Sequence, residues 1–342
     1  MDLEFKQLRW EQLRYNIGKE GGDTQNMSSQ AKKRVVTVSQ KEGKKLFYLS
    51  IPFILLVFVF SYLPLYGWIY AFFDYKPGYK LFDTEFKGFF FFKMLLSDPM
   101  TVDEVKRVMS NTLGMSVLSL VVQILPLIFA VFLVEIKFEP LKKAVQTLTT
   151  LPNFLSWPLV YAFAFSMFSE SDGFINKFLM HLHIIEEPIS MLVSSDHVWL
   201  TQTAYLAWKT IGWTAIIYIA AVTSIDSELY EAARIDGAGR FRAMKYITIP
   251  YLMPTFFVLM LLSVANFLNN GLEQYLIFQN ALNKDSIEVL DLYVYNIGIR
   301  NGMSGYNYSF ATAVGILKSV VSVALLFSVN YVSKKVRGEG II

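Results

Sequence analysis

The chain has 342 residues, 54% of them hydrophobic and 16% aromatic against only 17% charged, with a mean hydropathy of +0.40. That balance excludes an ordinary soluble domain, and a formal charge of +3 is too small to argue for a nucleic-acid partner. The lack of cysteine excludes disulfides, thiolate chemistry and Cys-ligated zinc.

A polar extension, residues 1–45, comes first. Its stretch 3–17, "LEFKQLRWEQLRYNI", is basic and aromatic, with Leu3, Trp10, Leu13 and Ile17 on one helical face. An interfacial helix and a partly ordered tail are both open readings. Residues 18–30, "GKEGGDTQNMSSQ", read as a flexible linker with nothing to bury. The first apolar run begins near Leu46, behind this polar segment, and is too long for the core of a cleavable signal peptide.

Six apolar spans follow, at about 46–73, 112–134, 144–168, 199–224, 247–270 and 311–332. A helix needs about 20 residues to cross a bilayer. Lipid leaves backbone polar groups no other partner, so runs without period-2 alternation are predicted to be helices. Of the 31 Lys and Arg, 20 fall in 1–45, 135–143, 225–246 and 333–342, and nine in the longer loops on the other side. The excess marks the cytoplasmic face, placing both termini and the loop 225–246 there.

Within the spans, polar groups are scarce. Asn153 and Trp157 lie four apart between Pro152 and Pro158. Those prolines disturb the i→i−4 ladder and are predicted to loosen the third span. A broken helix is tolerated where it lines protein or a wet cavity. Lys209 lies about 15 Å into the fourth span at 1.5 Å per residue. It needs a partner at that depth, either a carboxylate-bearing sugar or a neighbouring carbonyl, and the second is favoured. In the fifth span, Asn266, Asn269 and Asn270 have i, i+3, i+4 spacing, predicting one helix face turned towards an interface or a cavity. Lys318 is the other charge inside a span. His181, His183 and His197 share one loop, but no third ligand is fixed by spacing, and no metal site is expected.

Between the fourth and fifth spans runs "ELYEAARIDGAGRFRAMKYITIP" (228–250). Physically it is a short helix that stops. Glu231, Ala232 and Ala233 favour helix, and Gly237 and Gly239 allow a turn. Pro250 and Pro254 lie early in the next span, where proline is best tolerated. Its spacing resembles the EAA loop of binding-protein-dependent ABC importer permeases: Glu231-Ala232-Ala233, then Gly237, then Ile247-Thr248-Ile249-Pro250, with Ile249 where that family usually has Leu. The resemblance covers residues 45–338, and "YLPLYGWIYAFFDYKPG" (62–78) and "TLPNFLSWPLVYAFAF" (150–165) are similar to the first and third spans of carbohydrate-importing permeases. The branch it resembles takes up complex oligosaccharides in Gram-positive bacteria.

The resemblance implies an all-α integral membrane protein with six transmembrane helices and the type I ABC importer permease fold. It implies a permease domain over 46–338 and a cytoplasmic coupling loop over 225–250, in a bacterial cell membrane. The implied ATPase-coupling residues are Glu231, Ala232, Ala233, Asp236, Gly237 and Ala238. The positions that contact sugar in maltose-type permeases map to Asn153, Trp157, Lys209, Thr210, Asn266 and Asn269. Implied partners are a second, homologous permease, two cytoplasmic ATPase subunits, a lipid-anchored extracellular solute-binding protein, an oligosaccharide substrate and membrane lipids. No G-x-x-x-x-G-K-[ST] occurs, so ATP and magnesium are expected in the partner ATPase, and no cofactor or catalytic residue in this chain. An ion-coupled transporter would need carboxylates inside the spans, which hold none. A glycan-synthesising membrane enzyme would need acidic or histidine clusters at a membrane face.

Overall fold

The computed structural model describes residues 43–300 and 307–337. All but the last three residues of the extension 1–45, including its stretch 3–17 and the linker 18–30, lie outside them. Among the described residues there is no β-strand, only an isolated antiparallel bridge between Phe73 and Phe86. Five helices among the described residues have the length and apolarity to cross a membrane, or six if one bent pair is a single span.

The chain divides into two compact units, up to Gly67 and from Trp68 onward. The described part of the first is most of α1, Gly43–Phe72. This helix passes through a π turn, Phe58–Tyr62, into 3-10 geometry over Leu63–Phe72. Pro64, with no N–H to donate, sits at that change. Side chains such as Phe53 and Phe60 are exposed, as lipid requires of an apolar helix.

The second unit continues with α2, Phe90–Ser97, and α3, Pro99–Val122. The Asp98 side chain caps α3 by accepting from Thr101 N and Oγ1 at 2.9 and 2.6 Å, while Pro99 takes the position where an N–H is not needed. Those bonds, the hydroxyl's first, hold the Asp98 carboxyl below the usual carboxylate range. After a turn at Gln123 the helix resumes as α4, Ile124–Val134. Together they run 36 residues, or about 54 Å at 1.5 Å per residue, against a hydrocarbon core of about 30 Å. The first turns, with Asp103, Glu104, Lys106 and Arg107, therefore project beyond the apolar stretch expected at 112–134.

The third span is not one helix. Helix α5, Glu139–Thr150, passes through a 3-10 turn at Leu151–Phe154 and breaks at Leu155–Ser156. The chain then restarts as α6, Trp157–Phe168, bent by 111°. Pro152 opens the 3-10 turn and Pro158 lies in the first turn of α6, where its missing N–H is harmless. The break expected from the two prolines is there, but it also separates Asn153 from Trp157, so the two do not share a helical turn.

Then come α7, Phe174–His181, and α8, Val198–Thr223, which packs against α3, α4 and α5. Two of these crossings need a missing Cβ. One added at Gly212 would lie 2.2 Å from the Thr149 carbonyl oxygen, and one at Gly114 would lie 2.4 Å from the Trp199 ring. Beyond α8 come α9, Ser227–Ile235, and α10, Arg240–Ala243. A π turn, Met244–Thr248, then joins α10 to α11, Ile249–Ala265.

The fifth span ends five residues earlier than expected. Residues 266–270 are turn and loop, and Asn266, Asn269 and Asn270 do not form a helical face. The amides themselves explain the stop. Asn266 Nδ2 donates to the Leu262 carbonyl at 3.0 Å and Asn269 Nδ2 to Asn266 Oδ1 at 3.3 Å, an alternative to further helix that asparagine readily offers. Gly271 continues the turn at φ +88°, a conformation that favours glycine. Next are α12, Glu273–Phe278, α13, Lys284–Ile287, and α14, Leu290–Tyr295, which runs into a π turn, Asn296–Arg300. The last helix is α15, Asn307–Arg337. Lys318 of α15 is ion-paired with Asp291 of α14, whose other oxygen accepts from Gly271 N at 3.1 Å.

Candidate functional site

Where α3, α4, α8 and the end of α11 meet there is a cavity of about 310 Å³. Its walls are apolar, as span interiors are, but a band of small polar groups crosses them. α3 contributes Ser116 and Ser119, with Gln123 at its end; α8 contributes Thr203, Thr210 and Thr214; α11 contributes Ser263, and the turn after it Asn266, Asn269 and Asn270. Some of these groups bond each other. Asn270 Nδ2 donates to Ser116 Oγ at 3.0 Å, and Ser116 Oγ to the Phe267 carbonyl. Gln123 Nε2 is bonded to Ser263 Oγ.

Two acceptors stay unused. Gln123 Oε1 and Asn270 Oδ1 are buried without a hydrogen-bond partner. A buried polar atom in that state costs about 1–3 kcal/mol, so this arrangement suits a guest that brings hydroxyl donors. A few polar groups set in otherwise apolar walls are what a ligand pathway through lipid needs.

Of the six expected pathway residues, the cavity brings together Thr210, Asn266 and Asn269. Asn153, Trp157 and Lys209 form a second group at the break in the third span and do not line this cavity. Lys209 Nζ donates to the carbonyls of Pro152 at 3.2 Å, Asn153 at 2.8 Å and Leu155. These carbonyls lie at the end of the 3-10 turn and in the break after it, where a cation is favoured, and they are the carbonyl partner expected for Lys209; that of Pro152 also accepts from Leu155 N at 3.2 Å. The same ammonium lies 5.5 Å from the centre of the Trp157 ring, a cation–π distance, and Trp157 meets Phe278 edge to face at 6.5 Å.

Gln123, Ser116, Ser119, Thr203 and Thr214 are not among the expected site residues, while Asn270 is expected beside Asn266 and Asn269. Their signal is periodicity. Ser116, Ser119 and Gln123 recur at one helix face, as do Thr203, Thr210 and Thr214. A polar stripe along an apolar span is legible before any fold is known.

At the other end of α8, α9 begins with Asp226 accepting from Glu228 N at 3.0 Å. It ends with Gly237 at φ +75°, where Gly237 N donates to Arg234 O at 3.1 Å and Ala238 N to Ala233 O at 2.8 Å. That pair of bonds is the Schellman stop, which needs a left-handed residue and so favours glycine. Gly239, expected to share this role, has an ordinary φ of −72°. Tyr230 ties α9 down through a 2.9 Å bond to Thr248 Oγ1. Glu231, Ala232, Asp236 and Gly237 are exposed, and Ala233 and Ala238 half-buried, together with fully presented Ile235 and Phe241. In the loop before α8, His183 Nδ1 lies 3.1 Å from the His181 carbonyl.

The family model described as binding-protein-dependent transport system inner membrane component matches residues 46–338. Protein LplB of Bacillus subtilis (strain 168) is 39% identical over 302 residues, covering 88% of this chain and 92% of that protein. The polygalacturonan/rhamnogalacturonan transport system permease protein YteP of the same organism is 32% identical, over 91% and 94% respectively. Among solved structures, a chain of a bacterial ABC transporter involved in import of the acidic polysaccharide alginate is 28% identical. It superposes with a TM-score of 0.74 over 86% of this chain and 97% of that one. A chain of the alginate transporter in complex with alginate pentasaccharide-bound periplasmic protein gives 0.75 at the same identity, over 88% and 97%.

Proposed function

Since the chain belongs to the binding-protein-dependent transport system inner membrane components, we propose that it is the permease subunit of an ATP-driven oligosaccharide importer. The observation that carries this reading is the polar band across the cavity between α3, α8 and α11. Sugars present many hydroxyls and few charges, and Thr210, Asn266 and Asn269, with the unpartnered Gln123 Oε1 and Asn270 Oδ1, match that chemistry. The sugar transport named for YteP and for the alginate transporter supports the same substrate class. Asn153 and Trp157, half-buried on either side of the break, complete the proposed pathway with an amide and an aromatic ring. Lys209 is given a structural part in it.

The remaining machinery is shared. A second, homologous permease supplies the other half of the pathway, and a lipid-anchored solute-binding protein delivers the sugar from outside. Two cytoplasmic subunits hydrolyse ATP, since this chain lacks a phosphate-cradling loop sequence. α9 and the turn that ends it, with Glu231, Ala232, Ala233, Asp236, Gly237 and Ala238, engage one of them. Both termini and α9 face the cytoplasm.

Asn266→Ala and Gln123→Ala test the pathway. Loss of one hydrogen bond to a sugar hydroxyl is worth about 0.5–1.5 kcal/mol, or roughly 2- to 10-fold. Oligosaccharide uptake by cells carrying either variant should fall by that factor, with complex assembly intact. Unchanged uptake in both variants would remove the cavity from the pathway.

A further inference from the structure

A second cavity, of about 460 Å³, lies at the other end of α11 from α9, between α3, the 279–288 segment and α14 with its π turn. Its lining is mostly polar, and of its five charged groups Arg107 and Glu288 pair with each other. Glu288 is buried at 3% exposure. Its two oxygens are taken by Arg107 Nη2 at 2.9 Å and Asn296 Nδ2 at 2.8 Å. Glu104 accepts from the Tyr293 hydroxyl at 3.1 Å. Burial first, and then Glu104, push the Tyr293 phenol above its ordinary pKa, so it stays a donor.

Besides Glu104, whose partner is a neutral hydroxyl, the unmatched groups are of two kinds. Lys284 and Arg300 bring positive charge to the exposed rim, where Arg300 Nη1 donates to Gln279 Oε1 at 3.0 Å. Deeper in, Gln279 Nε2 and Asn296 Oδ1 are buried with no hydrogen-bond partner, and Asn296 is itself only 5% exposed. One of these atoms asks for an acceptor and the other for a donor. Neighbouring sugar hydroxyls supply both at once, and a carboxylate on the same ring would meet the rim cations, with the guanidinium well suited to it.

We propose that this cavity is a subsite for one uronate residue of an oligosaccharide, on the face opposite α9. Arg300 and Lys284 hold its carboxylate, and Gln279 Nε2 and Asn296 Oδ1 hold hydroxyls. The subsite rests on the reading of the chain as an oligosaccharide permease and adds a charge preference to it.

The test uses the assembled importer in lipid nanodiscs without the solute-binding protein. Trigalacturonate and its neutral methyl ester serve as probes, because the ester removes the charge and keeps the ring hydroxyls. The wild type should bind the free acid about tenfold more tightly than the ester. The double variant Lys284→Gln/Arg300→Gln, at two exposed positions, should abolish that preference while keeping ester binding. Gln279→Glu, an isosteric change that adds an opposing charge, should weaken the acid more than the ester. Equal binding of acid and ester by the wild type, or an undiminished preference in both variants, overturns the subsite.

Uptake in proteoliposomes with the solute-binding protein present separates the remaining explanations. Equal loss of acid and ester uptake in the double variant, with sugar binding unaltered, would make the rim a docking surface for that protein and not a subsite. A wild type that transports neutral oligosaccharides but no uronates overturns the subsite alone. One that transports no oligosaccharide overturns the permease reading as well.

Discussion

Lys209 shows how one side chain serves a broken span. Its ammonium has three donors and meets three carbonyls around the break, those of Pro152, Asn153 and Leu155. Replacing it with methionine keeps much of the stem and takes this donor from the Asn153 and Leu155 carbonyls, at about 1–3 kcal/mol for each that is left without a partner, while Pro152 O keeps its bond from Leu155 N. Lys209→Met should therefore lower the thermal stability of the complex, and reduce uptake of acidic and neutral oligosaccharides alike. Lys209→Arg, which keeps the charge and several donors, should restore part of the stability. A loss confined to acidic sugars would instead make Lys209 a reader of substrate charge. That Lys209 lies deep in an apolar run is plain in the sequence, and so is its need for a partner. Which partner is not, because the carbonyls belong to a segment more than fifty residues earlier, and only the fold brings it alongside.

Helix ends separate what local sequence determines from what it leaves open. The stop of α9 is written locally, since a Schellman turn needs one left-handed residue within a few positions of the last helical one. Gly237 supplies it at φ +75°. Nothing lies within 4 Å of where its Cβ would be, so Gly237→Ala acts in this chain through backbone strain alone, about 1 kcal/mol. We expect Gly237→Ala to reduce sugar-stimulated ATP hydrolysis several-fold by disordering the end of α9, with Gly239→Ala near wild type. Identical behaviour of the two variants in reconstituted complexes would refute the role given to this turn. The stop of α11 was less legible. Three asparagines at i, i+3 and i+4 fit a helix face as well as they fit a helix end. Here back-bonding from Asn266 to Leu262 tips the balance. The break in the third span is legible in its prolines, but neither its 111° bend nor the Lys209 bonds at it are, because the latter come from a distant helix.

Across the whole molecule, the apolar runs and their lengths are the part that sequence conveys best, because hydrocarbon thickness and backbone hydrogen bonding leave few solutions. Long-range pairings are not conveyed. The Lys318–Asp291 ion pair joins a span to a loop helix, and nothing near either residue announces the other. The sidedness of the chain rests on charge counting, and in the proposed importer it decides which end of α8 is cytoplasmic. The chain has no cysteine, so single introduced cysteines can be labelled without background. Ser195, in the loop before α8, and Ser227, at the start of α9, are both exposed and lie at opposite ends of α8, a helix of 26 residues or about 39 Å. In intact cells an impermeant maleimide should label Ser195→Cys and not Ser227→Cys, and permeabilisation should make both reactive. The opposite pattern would place α9 outside, where no ATP-hydrolysing subunit could reach it. It would also turn the uronate subsite towards the cytoplasm, where an arriving sugar could not use it for entry.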